Sequence, residues 1–305
     1  VDLSKYIVLL KSFILYNYLF CVVSLEEIVA DMNLVPDFQS ADPCNPLLFI
    51  HRKLSDSDVY FISNQGDKAI NFDASFRTKG EIPELWDPQT AEIRMLPEYK
   101  SLSQTTQVPM ALQPYESEFV VFKALKDSAM ANKGINFPMK NVVTEVNNPW
   151  TVTFQAGRGG PDKPVVFNEL SDWSKSNDGR IKYFSGTATY STTFKINKIS
   201  KLPVYIDLGK VMVMAKVKIN GNYVGGVWTA PYRLNITDYV KKGENKVDID
   251  VVNNWRNRLS RDKGLPENQR ITWQTYSYLN KDSSLQSSGL LGPVEIQSYD
   301  YDIIK

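Results

Sequence analysis

The sequence is poor in the residues that build metal and redox centres. Among its 305 residues it holds one histidine, His51, and two cysteines, Cys21 and Cys44. One histidine excludes a multi-histidine metal centre, and two cysteines exclude a cysteine-rich zinc module or a multi-disulfide scaffold. The two cysteines are expected to be either free buried thiols or one disulfide, because separation in sequence does not show whether their Cα atoms come within bonding range.

An excess of charge of one sign is also lacking. Lys and Arg number 35 and Asp and Glu number 34, which gives a formal net charge of +1. Such a balance provides no broad basic surface to neutralise phosphates, so we expect no nucleic-acid partner. Hydrophobic residues at 43% and charged residues at 23% are typical of a packed soluble protein. At ~100–200 residues per domain, the length indicates about two domains.

The longest apolar run falls short of a membrane span. Residues 7–23 read IVLLKSFILYNYLFCVV, and Lys11 interrupts them. A membrane helix needs ~20 apolar residues, so we expect this run to pack into a core as a helix or strand. A signal-like remnant is the alternative, because Lys5 precedes the run. Residues 1–40 are predicted to form an apolar, helical segment, and the first residue, Val1, indicates a processed or partial chain.

After this segment the pattern becomes that of short β-strands. Six β-rich runs are separated by polar, glycine- or proline-containing turns: 47–50, 59–63, 69–76, 91–96, 105–112 and 119–122. Repeated short strands at this spacing indicate a small antiparallel sandwich over residues 41–125. The more polar residues 126–145 are predicted to be a linker.

A second β-rich block is predicted over residues 146–305. Its clearest strands are 186–196, 204–208, 214–219, 223–228, 247–253 and 294–298. Within 247–251, valine and isoleucine alternate with aspartate, which indicates a strand with one buried and one solvent-exposed face. The pair Asn220-Gly221 lies between two strands and predicts a type I′ hairpin. The predicted fold class is therefore mainly β, with two antiparallel β-sandwich domains and a short helical N-terminal segment.

Two sets of motifs carry a resemblance to known families. Residues 186–251 resemble the sugar-binding, galactose-binding-like jelly-roll domain of glycoside hydrolase family 2. The matching pieces are YSTTF at 190–194, VKINGNYVG at 217–225, PYRLNIT at 231–237 and KGENKV at 242–247. More narrowly, residues 36–296 resemble the carboxyl-terminal part of the rhamnosidase-like hydrolases of family 106. The motifs are IHR at 50–52, YFISN at 60–64, NNWRNRL at 253–259, LPE at 265–267, RITW at 270–273 and SGLLGPV at 288–294.

The resemblance implies a part of a glycoside hydrolase. Such enzymes carry their catalytic carboxylates on a (β/α)₈ barrel, which needs ~250 residues of alternating strand and helix, and this sequence has neither the room nor the pattern. We therefore expect a non-catalytic, carbohydrate-binding accessory region of a hydrolase that acts on rhamnoside-type glycans. The expected partners are carbohydrate and the barrel of the same or a longer polypeptide, without a membrane span. A periplasmic or secreted location is implied. No cofactor is expected; a structural calcium in the loops of the jelly roll stays open, and no site is assigned to it.

Sugar binding requires aromatic rings that stack on a pyranose face and polar groups that take its hydroxyls. The candidate sugar-binding residues are Trp228, Tyr232, Trp255, Asn257, Arg258, Asp262, Arg270 and Trp273, with Tyr276 and Tyr278 as further aromatic candidates. Most of them lie in the segment 255–286, which is predicted to be long and irregular, and such loops often carry function. Core packing of the tryptophans and a structural salt bridge between Arg258 and Asp262 remain the alternatives.

Two other functions stay open. A stand-alone glycosidase would need two carboxyl groups across one bond, and the loop residues to inspect are Glu169, Asp172, Asp262 and Glu267. We expect each of them to be a solvated carboxylate or a turn cap, and His51 has no nucleophile-elbow sequence nearby. A docking module would instead pack the 255–273 loop against the catalytic barrel and leave an apolar patch exposed in this chain.

Overall fold

The structure, a computed structural model, describes residues 31–32, 34–78, 82–123, 134–276, 279–280, 282–301 and 303–304. Contacts divide the chain into residues 1–37 and residues 38–305. Antiparallel strands dominate the second unit, and the predicted mainly β fold class is confirmed. The predicted apolar run at 7–23 lies outside the described residues, as does Cys21, whereas Cys44 is exposed.

The described strands are short, as the spacing of turn residues predicts. In chain order the first nine are β1 (Phe38–Ser40), β2 (Leu47–Lys53), β3 (Ser57–Asn64), β4 (Ile70–Phe76), β5 (Ile82–Trp86), β6 (Ile93–Met95), β7 (Lys100–Ser101), β8 (Thr106–Leu112) and β9 (Ser117–Lys123). The next six are β10 (Asn141–Glu145), β11 (Trp150–Phe154), β12 (Val165–Phe167), β13 (Thr187–Ile196), β14 (Val204–Asp207) and β15 (Lys210–Met212). The last seven are β16 (Met214–Ile219), β17 (Asn222–Val227), β18 (Arg233–Asn235), β19 (Gly243–Val252), β20 (Gly289–Gly292), β21 (Glu295–Ser298) and β22 (Ile303–Ile304).

Strands β1–β9 and β22 build what we call the first sandwich. One sheet has the order β1-β4-β8-β7 and the other the order β2-β3-β9-β5-β6-β22. Alternate residues of β8 point inward, so that Val108, Met110 and Leu112 meet Val120 and Phe122 of β9 in one core. The sequence pattern predicts this face because its apolar residues recur at every second position.

Strands β10–β21 build the second sandwich. Its two main sheets have the orders β10-β21-β14-β18 and β12-β11-β13-β19-β16-β17, and β15 pairs with β20. The long ladder between β13 and β19 runs from the pair Thr187 and Val252 to the pair Ile196 and Gly243. The predicted alternation in β19 is confirmed, since its valines and isoleucine are buried.

The predicted hairpin at Asn220-Gly221 is confirmed. Both residues have positive φ, 52° and 84°, as a type I′ turn requires. The Asn220 side chain also donates to the Tyr239 carbonyl oxygen and accepts from the Lys246 amide. The turn therefore holds β16 against β17 and ties both to the start of β19.

The described helices are few and short. They are α1 (Gly179–Lys182), α2 (Arg256–Lys263) and two 3₁₀ turns, Trp173–Lys175 and Glu267–Gln269. The presence of α2 corrects the prediction of a wholly irregular segment at 255–286. None of the described helices has the length and apolarity that a bilayer crossing requires.

The two sandwiches touch within residues 38–305. The last strand, β22, follows the second sandwich but pairs with β6 of the first. The hydroxyl of Tyr205 on β14 donates to the carboxylate of Glu92, which precedes β6. The predicted linker, 126–145, contains β10, and residues 124–133 lie outside the described residues. The predicted domain boundaries stay a prediction.

Candidate functional site

A cleft of about 1070 Å³ lies where the two sandwiches meet. Its volume slightly exceeds the ~300–1,000 Å³ typical of small-molecule sites. Acidic, basic and aromatic side chains from both sandwiches line it, among them Glu92, Arg94, Glu118, Tyr205, Arg233 and Tyr299. We take this cleft as the candidate site.

Strand alternation aims these side chains at the cleft. On β14, Val204 and Ile206 enter the core of the second sandwich, so Tyr205 and Asp207 face the other way. On the first sandwich, Glu118 is two residues before the core residue Val120, and it ends the inward row of β9 in the cleft. Glu118 therefore lies on the same face of β9 as the core residues Val120 and Phe122, but at the end of the strand where its side chain lines the cleft.

On the side of the second sandwich, an arginine and three aromatic or amide side chains form a connected network. The Arg233 guanidinium lies 5.3 Å from the ring centre of Tyr205 and 5.0 Å from that of Tyr299. Its Nη1 donates to the Tyr299 hydroxyl at 3.0 Å, and that hydroxyl donates to Oε1 of Gln297 at 2.7 Å. These contacts fix the orientation of the two tyrosine rings.

On the side of the first sandwich, Arg94 is buried between two rings. Its guanidinium lies 4.8 Å from the ring centre of Phe137 and 4.7 Å from that of Tyr301, and its Nη1 donates to the Asn136 carbonyl oxygen at 2.7 Å. The neighbouring Glu116 accepts from the Gln113 amide at 2.6 Å.

Glu118 differs from its neighbours. It is 7% exposed, and its Oε2 has no hydrogen-bond partner among the residues that the structure describes. Burial raises the pKa of Glu118 well above its ordinary 4.5, and Glu116 and Asp87 raise it further, whereas Arg94 and Arg233 lower it. The group thus favours its protonated form, which can both donate and accept a hydrogen bond.

Burial has the same effect on two other carboxyl groups of the cleft. The pKa values of Glu92 and Glu116 are raised, in each case mainly by burial. Hydrogen bonds from Tyr205 and Asn235 to Glu92 offset part of the increase in its pKa. A site with several carboxyl groups whose ionised form is disfavoured by burial suits a ligand rich in hydroxyls better than a charged one.

A shallower groove of about 570 Å³ adjoins the cleft. It follows β17, where Gly225 and Gly226 leave room above the sheet, and Tyr223 and Trp228 border it. A Cβ added at Gly225 would lie 3.0 Å from Leu234 Cδ2. Trp228 is 56% exposed and lines both the groove and the cleft, whereas Tyr223 lines only the groove.

The predicted sugar-binding residues fall into two separate groups. Trp228 and Tyr232 line the cleft. The other six, which lie on α2, just before it or after it, line neither the cleft nor the groove: Trp255, Asn257, Arg258, Asp262, Arg270 and Trp273. The structure does not bring the two groups into one site.

The buried members of the second group anchor a loop, residues 264–288. Asp262 accepts through Oδ2 from the amides of Ile271 and Thr272, at 3.0 and 2.8 Å, and from the Thr272 hydroxyl at 2.7 Å. Its other oxygen lies 3.7 Å from Nη1 of Arg258. The Asn257 amide donates to the Gln286 carbonyl oxygen at 2.7 Å. These contacts are those of a structural anchor.

The aromatic members of the second group lie at the surface. Trp273 is 83% exposed, and Trp255 is also exposed, with the Arg158 guanidinium 5.1 Å from its ring centre. The Nε of Arg270 donates to the Leu265 carbonyl oxygen at 2.9 Å. Tyr276 is exposed as well, and Tyr278 lies outside the described residues.

The candidate carboxylates of a stand-alone glycosidase do not line the cleft. Asp172 accepts from the Ser174 amide and caps the 3₁₀ turn Trp173–Lys175, while Glu169 and Glu267 are exposed. Among the described residues, no group of three or more His, Cys, Asp or Glu side chains could hold a metal ion.

Sequence reasoning missed most of the cleft residues. Glu118 could have been found, because it is in phase with Val120 and Phe122 of the same strand, where an apolar residue is the rule. Glu92, Arg233 and their aromatic neighbours carry no such local signal, since the two sandwiches bring them together across more than a hundred residues of sequence.

Comparisons with known proteins agree with this architecture. Residues 17–101 match the family profile described as alpha-L-rhamnosidase (glycoside hydrolase family 106), and residues 171–286 match the glycosyl hydrolase 2 galactose-binding domain-like profile. A solved rhamnosidase from Novosphingobium sp. PP1Y is 36% identical, with a TM-score of 0.80 over 90% of this chain. A protein of Formosa agariphila named "Putative beta-glucuronidase" is 34% identical over 256 residues, or 73% of this chain.

These relatives are much longer than the chain. It spans 26% of the Novosphingobium rhamnosidase and 21% of the Formosa protein. A solved β-glucuronidase from Ruminococcus gnavus matches 53% of the chain at 18% identity, with a TM-score of only 0.38. The chain thus carries a stretch of the glycoside hydrolase family 106 rhamnosidase type and a galactose-binding-like domain of the family 2 type.

Proposed function

We propose that the chain is the non-catalytic, carbohydrate-binding accessory region of a secreted or periplasmic glycoside hydrolase that acts on rhamnoside-type glycans. The observation that carries the proposal is the inter-sandwich cleft, with Trp228 and Tyr232 beside a set of buried polar side chains. The chain's similarity to a rhamnosidase supports the choice of glycan.

The chemistry of the cleft suits a sugar. A pyranose has an apolar face that packs on an aromatic ring, and Trp228 offers a ring that is 56% exposed. Its hydroxyls need donors and acceptors, which the carboxyl, guanidinium and phenol groups of the cleft supply. The aromatic wall therefore holds the ring while the polar wall selects its hydroxyls.

The proposal assigns catalysis to another part of the polypeptide. A (β/α)₈ barrel alternates strands with helices, whereas the described part of this chain is made of antiparallel sheets. The relatives are about three and a half times as long as the chain, because 90% of the chain covers 26% of one relative and 73% of it covers 21% of the other. Their extra length leaves room for a catalytic domain.

The experiment measures binding of an α-L-rhamnosyl disaccharide by isothermal titration calorimetry. We expect the native chain to bind and Trp228→Ala to bind about fivefold to tenfold more weakly, the value of a lost aromatic stack. Trp273→Ala is the matched control, because it removes another exposed tryptophan, one that lies outside the cleft, and should leave affinity unchanged. Failure of the native chain to bind any neutral glycan, or hydrolysis of an aryl α-L-rhamnoside by this chain alone, would overturn the proposal.

A second function is favoured by one specific observation. Ile271, Trp273 and Tyr276 are exposed together in loop 264–288, and Trp273 reaches 83%. Exposed aromatic side chains of this kind suit a docking contact with the catalytic domain. Trp273→Ser should then leave the stability of this chain unchanged but lower the melting temperature of the longer polypeptide. Equal melting temperatures in both backgrounds would exclude docking through this loop.

A further inference from the structure

We propose that the inter-sandwich cleft, rather than the adjoining groove, is the saccharide site, and that the free carboxyl oxygen of Glu118 exchanges a hydrogen bond with a hydroxyl of a neutral sugar. This inference rests on the proposed function. It adds where the sugar binds and that the sugar is uncharged.

The first support is an unsatisfied polar atom. Glu118 is 7% exposed and lines the cleft, and its Oε2 has no hydrogen-bond partner within the described residues. Buried polar groups are nearly always paired, because leaving one unpaired costs free energy. A ligand hydroxyl in the cleft would supply the missing partner, so binding would relieve a penalty that the free protein carries.

The second support is that the neighbouring charged groups already have partners. Arg94 donates to the Asn136 carbonyl oxygen, and Arg233 donates to the Tyr299 hydroxyl. Each guanidinium also lies against aromatic rings. The Glu116 carboxylate accepts a hydrogen bond from the backbone amide of Gln113. The wall around Glu118 is therefore fixed in place, which lowers the entropic cost of binding.

The third support concerns the charge of the ligand. The negative charges of Glu116 and Asp87 raise the pKa of Glu118, and the positive charges of Arg94 and Arg233 lower it. Burial dominates this balance and raises the pKa of Glu118, so its side chain is favoured as a neutral acid. A neutral polyol matches a group that donates and accepts, whereas an anionic sugar would enter a cleft that six Asp and Glu side chains line against four Lys and Arg side chains.

The geometry allows the cleft and the groove to be tested separately. Trp228 lines both, Glu118 lines only the cleft and Tyr223 lines only the groove. Loss of binding in a Trp228 variant therefore does not distinguish the cleft from the groove. A comparison of a Glu118 variant with a Tyr223 variant does distinguish them.

The test measures the affinity of an α-L-rhamnosyl disaccharide and of D-glucuronate by calorimetry. Glu118→Met keeps the side-chain length and removes both oxygens, so we expect about tenfold weaker binding of the disaccharide. Tyr223→Ala should bind as the native chain does. Glu118→Gln keeps a donor and an acceptor and should stay within about threefold. D-glucuronate should bind more weakly than the neutral sugar.

The outcomes separate this inference from the function on which it rests. Binding lost in Tyr223→Ala but kept in Glu118→Met would place the sugar in the groove, which overturns the inference and leaves the proposed function standing. If D-glucuronate bound more tightly than the disaccharide, the inference that the cleft takes a neutral sugar would be wrong. Absence of binding by the native chain would overturn both proposals. If Glu118→Met does not fold, a crystal of the native chain with the disaccharide decides, since a sugar oxygen within about 3.2 Å of the Glu118 carboxyl is required.

Discussion

A carboxyl group stands where the strand pattern calls for an apolar side chain. Glu118 is in phase with Val120 and Phe122, two residues of the core of the first sandwich. Proteins break such a local rule mainly at functional sites, because the cost in stability must be offset by a gain elsewhere. At this position the cost is the free energy of ionising a buried carboxyl group. Because ionisation depends on pH, the stability of the protein depends on pH as well.

Replacement of Glu118 by glutamine should stabilise the protein at neutral and alkaline pH. The folded-state pKa of Glu118 is raised above its ordinary 4.5, so between these two values the folded protein holds a proton that the unfolded chain has released. Native stability therefore falls as pH rises through the folded pKa, by at most about 1.4 kcal/mol per pH unit. The difference in free energy of unfolding between variant and native chain should be smallest near pH 4 and grow toward pH 8, as measured in urea.

A control and a contrary result sharpen this prediction. Glu244→Gln alters an exposed carboxylate on β19 and is the control for the loss of one carboxyl group at the surface. If Glu118→Gln were less stable than the native chain at pH 8, the ionised carboxylate would be held by Arg94 and Arg233 more strongly than burial opposes it.

Among the elements, α2 is unusual because it buries polar residues. Asn257, Arg258, Ser260 and Asp262 are its buried positions, and it has no apolar stripe. A sequence pattern based on apolar periodicity cannot find such a helix. The predicted strands were found because their inward rows are apolar. The helix is held in place by hydrogen bonds to loop 264–288 instead.

Asp262→Ala should destabilise the protein by about 3–5 kcal/mol, the cost of removing one partner of a buried ion pair. The change leaves Arg258 buried without its carboxylate and removes the acceptor of three hydrogen bonds. Urea unfolding measures the loss, and Asp282→Ala, an exposed aspartate of the same loop, is the control with little expected change. A loss of less than about 1 kcal/mol, the range of a surface pair, would contradict the anchoring role.

For the whole molecule, contacts across the cleft join the two sandwiches. Tyr205 of the second sandwich donates to Glu92 of the first, and β22 adds a strand from the chain end to the sheet that holds β6. Cooperative unfolding requires such shared contacts, so we expect one transition for residues 38–305.

Tyr205→Phe should weaken this coupling. The variant removes the hydroxyl that donates to the half-buried Glu92 carboxylate, at an expected cost of about 1–3 kcal/mol. Differential scanning calorimetry should show a lower melting temperature, with the transition broadened or split in two. Tyr223→Phe removes an exposed hydroxyl outside the contact and serves as control. An unchanged melting temperature would show that this contact does not couple the sandwiches.

The sequence by itself determined the features that depend on neighbours along the chain. Alternation of apolar and polar residues fixed the β class and the buried face of β19, and Asn220-Gly221 fixed a turn, because both act over a few residues. Only the tertiary structure decided the cleft, since Glu92, Glu118 and Arg233 come from different strands and sandwiches. Burial, hydrogen-bond partners and pKa depend on what folding places around a side chain, and no local pattern contains that information.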